Sequence, residues 1–358
     1  MTVGFHSPLP PARTGVADYA SHLLAELRRR GTIEVDSRSA DVNLYHLGNN
    51  QLHREIYRRA LARPGVVVLH DAVLHHFLLG WLTRREYVEE FTFNYGEWAR
   101  GLAADLWEAR AHSSAQARYF DYPMLRRVAE ASRAVIVHNP AAARMVLQHA
   151  PRARVHEIPH PFLPPPAPGE RRRALGAGPR TFVFGVLGYL RESKRLPVVL
   201  RAFDQVRRQG VEARLLIAGE FVSSDLERGV APLLDRPDVL RVDRTPDREF
   251  WLLAAASDAC VNLRYPAAGE TSGIMVRLMG LAKPVIVSEG EEVSAIPEAA
   301  CLRVEHGVAE EDELVHYMIL LARSAGLARD IGRLAAAHIR ARHGLESVAD
   351  SYWKVLCG

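Results

Sequence analysis

The stretch FLPPPAPGERRRALGAGPR, residues 162–180, constrains this chain more than any other. Proline locks φ and removes backbone donors, glycine loosens the chain, and the basic run resists burial, so neither a strand nor a long helix can pass through it. A chain of 358 residues interrupted in this way folds as two units of ordinary domain size joined by a linker at 163–180.

Each unit alternates short apolar runs with amphipathic helical patterns, which predicts parallel sheets with right-handed crossovers. The strand candidates are 3–5, 41–47, 66–69, 134–137 and 154–158 before the linker, and 181–187, 213–218, 239–242, 259–263 and 284–288 after it. Helices are expected at 16–30, from 72 onward, and at 197–208, 225–234, 247–256, 310–323, 327–342 and 345–356. Residues 85–132 carry no strand signal and read as a helical insertion, whose aromatics (Phe91, Tyr95, Trp107 and Phe120 among them) serve either as core or as a platform for an acceptor. The expected organisation is therefore 1–162 with the insertion 85–132, the linker, a second α/β unit at 181–342, and a terminal helix in 343–358 that packs back on the first unit.

In open α/β sheets, ligands collect beyond the carboxyl ends of the strands. GETSG, 269–273, follows a buried strand and opens a helix, so Glu270 supplies an acid while the backbone N–H groups of Thr271, Ser272 and Gly273 attract an anion. GYLRESKR, 188–195, follows another strand. There Gly188 permits a tight turn, and Arg191 and Lys194 either neutralise a diphosphate or form a solvated charge run. Lys194, Lys283 and Lys354 are the only lysines among 46 basic residues, so a compact ammonium at this turn is informative. Glu220 ends a third strand of the same unit. In the first unit the loop HSPLPPARTG presents Gly15 at a helix start, either to a phosphate or as a plain turn. His70 ends a strand, as a site residue or a satisfied core histidine; Asp71 follows, as a site residue or as the N-cap of the helix from 72. His138 ends the strand 134–137 and faces the same crevice. His75 and His76 are adjacent without a third ligand, which argues against a metal site.

Composition narrows the partners. With 48% hydrophobic and 25% charged residues the chain reads as globular, and three widely spaced cysteines fit neither a disulfide framework nor a zinc site, which points to the reducing cytoplasm. No apolar run approaches a bilayer span and no targeting segment is evident, so membrane contact is expected to be peripheral at most. A net charge of +4 is mild, and no basic stripe with interleaved aromatics supports nucleic-acid binding.

Taken in order, PLPPARTGVADY, VVVLHD, VIVHN, IPHPF, GYLRESKR with the following RAF, LLIAGE, and PAAGETSG followed by GLAKPVIVS resemble the retaining glycosyltransferases of the GT-B fold, specifically the GT4 family (glycosyl transferases group 1). The likeness runs through nearly the whole chain. It implies two Rossmann-like parallel-sheet domains facing a cleft, a nucleoside diphosphate sugar held mainly by the second, and a carbohydrate or lipid-linked acceptor held mainly by the first. By position it assigns Lys194 to the diphosphate, Gly15 to its approach from the first domain, His70 to the donor sugar, and Glu270 to donor-sugar hydroxyls as the first acid of the family's E-x7-E pattern. It implies no cofactor and no metal, since helix dipoles and basic side chains stabilise the leaving diphosphate.

Two departures stand out. Tyr189 occupies the place of the family's arginine after the phosphate-loop glycine, leaving Arg191 or Arg195 to substitute. The second acid of the pattern falls at Arg277 or Leu278, so the ribose-binding glutamate is missing, while Arg277 lies one helical turn beyond Gly273 on the same face. The alternative to an enzyme is a non-catalytic nucleotide-sugar-binding or scaffold relative of the same fold.

Overall fold

The computed structural model describes residues 1–163, 165, 172, 175–178, 180–243 and 246–358, so much of the linker read at 163–180 lies outside the described residues. Among the described residues twelve strands form two sheets. The first contains β1 (Thr2–His6), β2 (Thr32–Val35), β3 (Val42–Leu47), β4 (Val66–Leu69), β5 (Ala134–Val137) and β6 (Val155–Glu157), in the order β2-β1-β3-β4-β5-β6. The second contains β7 (Phe182–Leu187), β8 (Ala213–Ala218), β9 (Val239–Val242), β10 (Ala259–Asn262), β11 (Val285–Ser288) and β12 (Leu302–Val304), in the order β12-β11-β10-β7-β8-β9. Every pairing is parallel. Strand order reverses between β1 and β3 in one sheet and between β7 and β10 in the other, and such reversals open a crevice at the carboxyl edge.

The central strands formed where apolar runs were continuous because helices cover both faces: every residue of β4 and β5 is buried. Two edge strands escaped the sequence reading. In β2 only Ile33 is buried, and β12 is three residues long with Arg303 at its centre, so neither carries a two-sided apolar run. The first helix ends at Leu27, short of the expected Arg30. The helix expected from Ala72 begins at His75 instead, with no side-chain cap, which removes the N-cap reading of Asp71. The reason is tertiary: the Ala72 N–H donates to the Ala268 carbonyl of the second unit at 2.8 Å, holding 72–74 out of helical geometry.

In the insertion, Phe91 and Tyr119 are wholly buried, and Tyr95, Trp107 and Tyr122 pack against the same core, whereas Trp98 is 79% exposed. The terminal helix Leu345–Cys357 buries Val348, Ala349, Tyr352 and Leu356 among Val3, Phe5, Leu23 and Leu27 of the first unit. Its Tyr352 hydroxyl lies 2.6 Å from that of Tyr19. No helix among the described residues is long and apolar enough to cross a membrane.

Candidate active site

A cleft of about 850 Å³ runs between the carboxyl edges of the two sheets. Gly15, His70, Asp71, His138, Gly188, Arg191, Lys194, Glu220, Glu270, Thr271, Ser272, Gly273 and Arg277 all line it, so the sequence-derived residues of both units meet in one place.

The second unit supplies the cationic wall. After β7 the chain turns at Gly188, whose φ of +88° suits glycine, and a short 3₁₀ turn at Glu192–Lys194 returns the lysine beneath the loop. A Cβ at Gly188 would stand 3.5 Å from Lys194 Nζ and closer still to Ile274. Lys194 is 3% exposed, which excludes the solvated-run reading, and its Nζ donates to the Leu187 carbonyl. Burial, with Arg264 and Arg191 nearby, pushes the Lys194 amine well below the usual lysine range. Arg195 does not share this wall. It adopts φ of +57° and turns its guanidinium to Glu310, with Nη2 2.5 Å from Oε2, leaving Arg191 as the candidate to replace the family arginine.

Gly219, at the end of β8, seals the same loop from beside. A Cβ there would lie 2.1 Å from the Gly188 carbonyl oxygen, a backbone atom that cannot swing aside. We expect Gly219→Ala to cost roughly 1–3 kcal/mol of stability and to weaken nucleotide binding, measurable by urea denaturation and calorimetry. Wild-type values of both would show that the two strand ends separate freely.

The turn after β10 carries the acid. Glu270 Oε2 accepts from the Ala268 N–H at 2.7 Å, and its Oε1 lies 3.5 Å from Arg264 Nη1. Ser272 is the N-cap of helix Gly273–Gly280, its hydroxyl accepting from the Met275 N–H at 3.2 Å and meeting Asn262 Nδ2 at 3.1 Å. The Ser272 hydroxyl is thus spent on the fold, whereas the N–H groups of Thr271, Ser272 and Gly273 have no acceptor among the described residues. Arg277, one turn further, stacks over Phe250 and Trp251 at 5.6 and 5.3 Å.

The first unit faces this with carboxylate, amide and imidazole. Asp71 Oδ2 accepts from the Asn49 N–H at 2.7 Å. Burial raises the pKa of both Asp71 and Glu270; for Glu270 the neighbouring Asp71 charge raises it further, while Arg264 opposes the shift. Two carboxyl groups from different halves of the chain are therefore electrostatically coupled across the cleft. Gly15 opens the first helix behind Thr14, its N-cap, and a Cβ there would meet nothing within 4 Å. His70 combines the two roles that the sequence left open, lining the cleft while its Nε2 lies 3.0 Å from His46 Nδ1. His138 donates from Nδ1 to the Ile158 carbonyl at 2.8 Å, leaving Nε2 without a partner. Glu220 sits exposed at the rim.

Sequence reasoning missed Arg264, which braces Glu270 and donates from Nη2 to Ser272 Oγ at 3.3 Å. Its position directly after a buried strand was the available signal. It also missed Asn139, whose Nδ2 donates to the Gly269 carbonyl and to Thr271 Oγ1, both at 3.0 Å, pinning the acid-bearing turn to the first unit. That contact joins residues 130 positions apart, and no local pattern announces it.

Two parallel six-stranded sheets with facing carboxyl edges define the GT-B fold, and the comparisons agree. No family model matches the chain, and no curated protein sequence does. Among solved structures it is similar to a sucrose-phosphate synthase from Thermosynechococcus elongatus, at 15% identity over 99% of this chain and 98% of that one, with a TM-score of 0.69. It is similar to Anabaena HepE, solved with UDP and glucose, at 16% identity over 100% and 99% of the two chains, TM-score 0.65. WaaG, a glycosyltransferase involved in lipopolysaccharide biosynthesis, aligns at 14% identity over 99% and 100%, TM-score 0.65. At such identities the likeness establishes a shared fold.

Proposed function

We propose that this chain is a metal-independent retaining glycosyltransferase of the GT4 kind, moving a hexosyl group from a nucleoside diphosphate sugar to an acceptor hydroxyl. The observation that carries the reading is the polarity of the cleft. Lys194, Arg191 and three open N–H groups at a helix start face one end, and the coupled acids Glu270 and Asp71 stand beside them.

In this reading the open N–H groups and Lys194 hold the diphosphate and stabilise its charge as it leaves. Glu270 accepts from donor-sugar hydroxyls, held in place by Ala268 and Arg264, with His70 on the opposite wall. The acceptor oxygen bonds to the anomeric carbon from the face that the diphosphate departs, and the leaving phosphate oxygen takes the acceptor proton. Retention then requires no protein nucleophile. The reading places the reaction in the cytoplasm, with at most peripheral membrane contact and no nucleic-acid partner.

UDP-glucose is the first donor to test, because a HepE structure similar over the whole chain was solved with it. At about a hundred times its dissociation constant a true donor adds about 2.7 kcal/mol of stability, several degrees in melting temperature. A titration with UDP-, GDP-, ADP-, TDP- and CMP-sugars should single out one base, and its sugar form should lose its advantage in Glu270→Ala. No shift with any of them would defeat the reading. One observation favours the scaffold alternative: Arg277 or Leu278, and no acid, stands where the family's ribose-binding glutamate belongs. Binding of a nucleotide sugar without its turnover would select that alternative.

A further inference from the structure

The two walls of the cleft differ in charge in a way that bears on the acceptor, given the functional reading above. Among the described residues, every lysine and arginine that lines the cleft (Arg191, Lys194, Arg264 and Arg277) comes from the second unit. The wall contributed by the first unit contains Asp18 and Asp71 and no described lysine or arginine. Its histidines do not supply the missing positive charge: burial holds His70, His76, His138 and His160 below the usual histidine range, so they are neutral at pH 7. A phosphate or carboxylate on the acceptor would meet two carboxyl groups on this wall, whose nearest cations, Arg191 and Arg264, belong to the second unit and already act on Asp71.

What this wall does offer is suited to hydroxyl groups. Asn49 Oδ1 accepts from the Phe77 N–H at 2.7 Å, and Asn50 Oδ1 accepts from the Leu52 N–H at 3.1 Å. Both amide orientations are thereby fixed, and each Nδ2 is left as a donor without a partner among the described residues. His76 stands behind them, with its Nε2 buried out of reach of the cleft. Its ring centroid lies 5.0 Å from that of Phe120, delivered by the helical insertion, and both residues line the cleft. An aromatic surface beside oriented amide donors and a carboxylate is the chemistry that holds the apolar face and the hydroxyl rim of a sugar ring.

We propose that Asn49, Asn50, Asp71 and Phe120 form the acceptor subsite, and that the acceptor is an uncharged glycoside rather than a sugar phosphate, an acidic sugar or a polyprenyl phosphate. Its ring stacks on Phe120, its hydroxyls accept from the two asparagine amides, and they donate to Asp71.

The test measures nucleotide release by the full chain from UDP-, GDP- and ADP-glucose, first in water and then with each acceptor probe. Methyl α- and β-glucoside, methyl β-galactoside, maltose and cellobiose form the neutral set; glucose 6-phosphate, glucuronic acid and decaprenyl phosphate form the charged set. At least one neutral glycoside is expected to raise release roughly tenfold or more over water, and the charged set is not. Phe120→Ala should then raise the KM for that glycoside roughly tenfold with a smaller change in kcat, and Phe120→Tyr should restore it. Asn50→Asp keeps the oxygen that accepts from Leu52 and deletes only the amide donor, so it reports on the subsite if Phe120→Ala melts early; it too should raise KM. Stimulation by the charged set alone, stimulation by no probe, or an unchanged KM in these variants overturns the subsite. Absence of nucleotide release under every condition overturns the functional reading itself, and the subsite with it.

Discussion

Lowering the pH from about 7.5 to 5 is expected to remove several kcal/mol of this protein's stability, because buried histidines are folded into it in the neutral state. His46, His53, His70, His138, His160 and His343 are supplied by strand ends, loops and a helix end, and most of them gather around Tyr19 and its partner Tyr352. Burial holds His53, His138 and His343 to about 4, and holds His46, His70 and His160 well below the ordinary value. The sign follows from proton counting. Between about pH 6.5 and 4 the unfolded chain binds protons that the folded chain refuses, so stability is complete above that window and falls as the pH drops through it. Each such histidine costs about 1 kcal/mol per pH unit, and three of them cost on the order of 4, against an ordinary total of 5–15 kcal/mol. Asp71, Glu270 and Glu292 act in the opposite sense, since their raised pKa values let the folded chain bind protons that the unfolded chain does not. Three carboxyls against ten imidazoles leave a net loss. Urea midpoints at pH 7.5 and 5 measure it, and equal midpoints would mean that the imidazoles accept protons without unfolding.

Lys194→Met is expected to cut nucleotide-sugar turnover roughly a hundredfold or more, about 2.7 kcal/mol of barrier, while leaving the melting temperature unchanged or higher. The two effects separate because Lys194 gains little from the empty fold. Its Nζ has one carbonyl partner, lies in a buried setting, and is repelled by Arg264 and Arg191. Methionine fills the same volume without a buried charge. A bound diphosphate reverses the balance by favouring the ammonium, drawing the amine back up toward the usual lysine range. Wild-type turnover in the variant, or an inactive variant that also melts early, would deny Lys194 its role at the ligand.

The parts of this molecule that were legible in its sequence are those with local causes. Strands β4 and β5, and β8 from Leu215 onward, are covered on both faces and so read as apolar runs, and the residues that follow, His70, His138 and, after Gly219, Glu220, had to lie at the carboxyl edge. Gly188 and Lys194 were legible because a glycine and a rare lysine follow such a run. What was not legible depends on distant partners. The delayed helix start at His75 comes from Ala268, the orientation of Arg195 from Glu310, and the anchoring of the GETSG turn from Asn139. The histidine layer is the extreme case, since each imidazole looks ordinary in its own segment and acquires meaning only when the two units and the terminal helix come together. Edge strands β2 and β12 failed for the converse reason, too little burial to leave a pattern.

The central claim is that the cleft transfers sugar with retention, and proton NMR of the reaction tests it most directly. UDP-, GDP- and ADP-glucose, each α-linked to its nucleotide, are incubated with wild type and with Glu270→Ala in the presence of methyl glucoside. The account predicts loss of one donor's anomeric signal, growth of an α-linked product signal, and a rate at least roughly tenfold lower in the variant. A β-linked product would contradict retention, and an intact donor in every tube would contradict catalysis at this cleft.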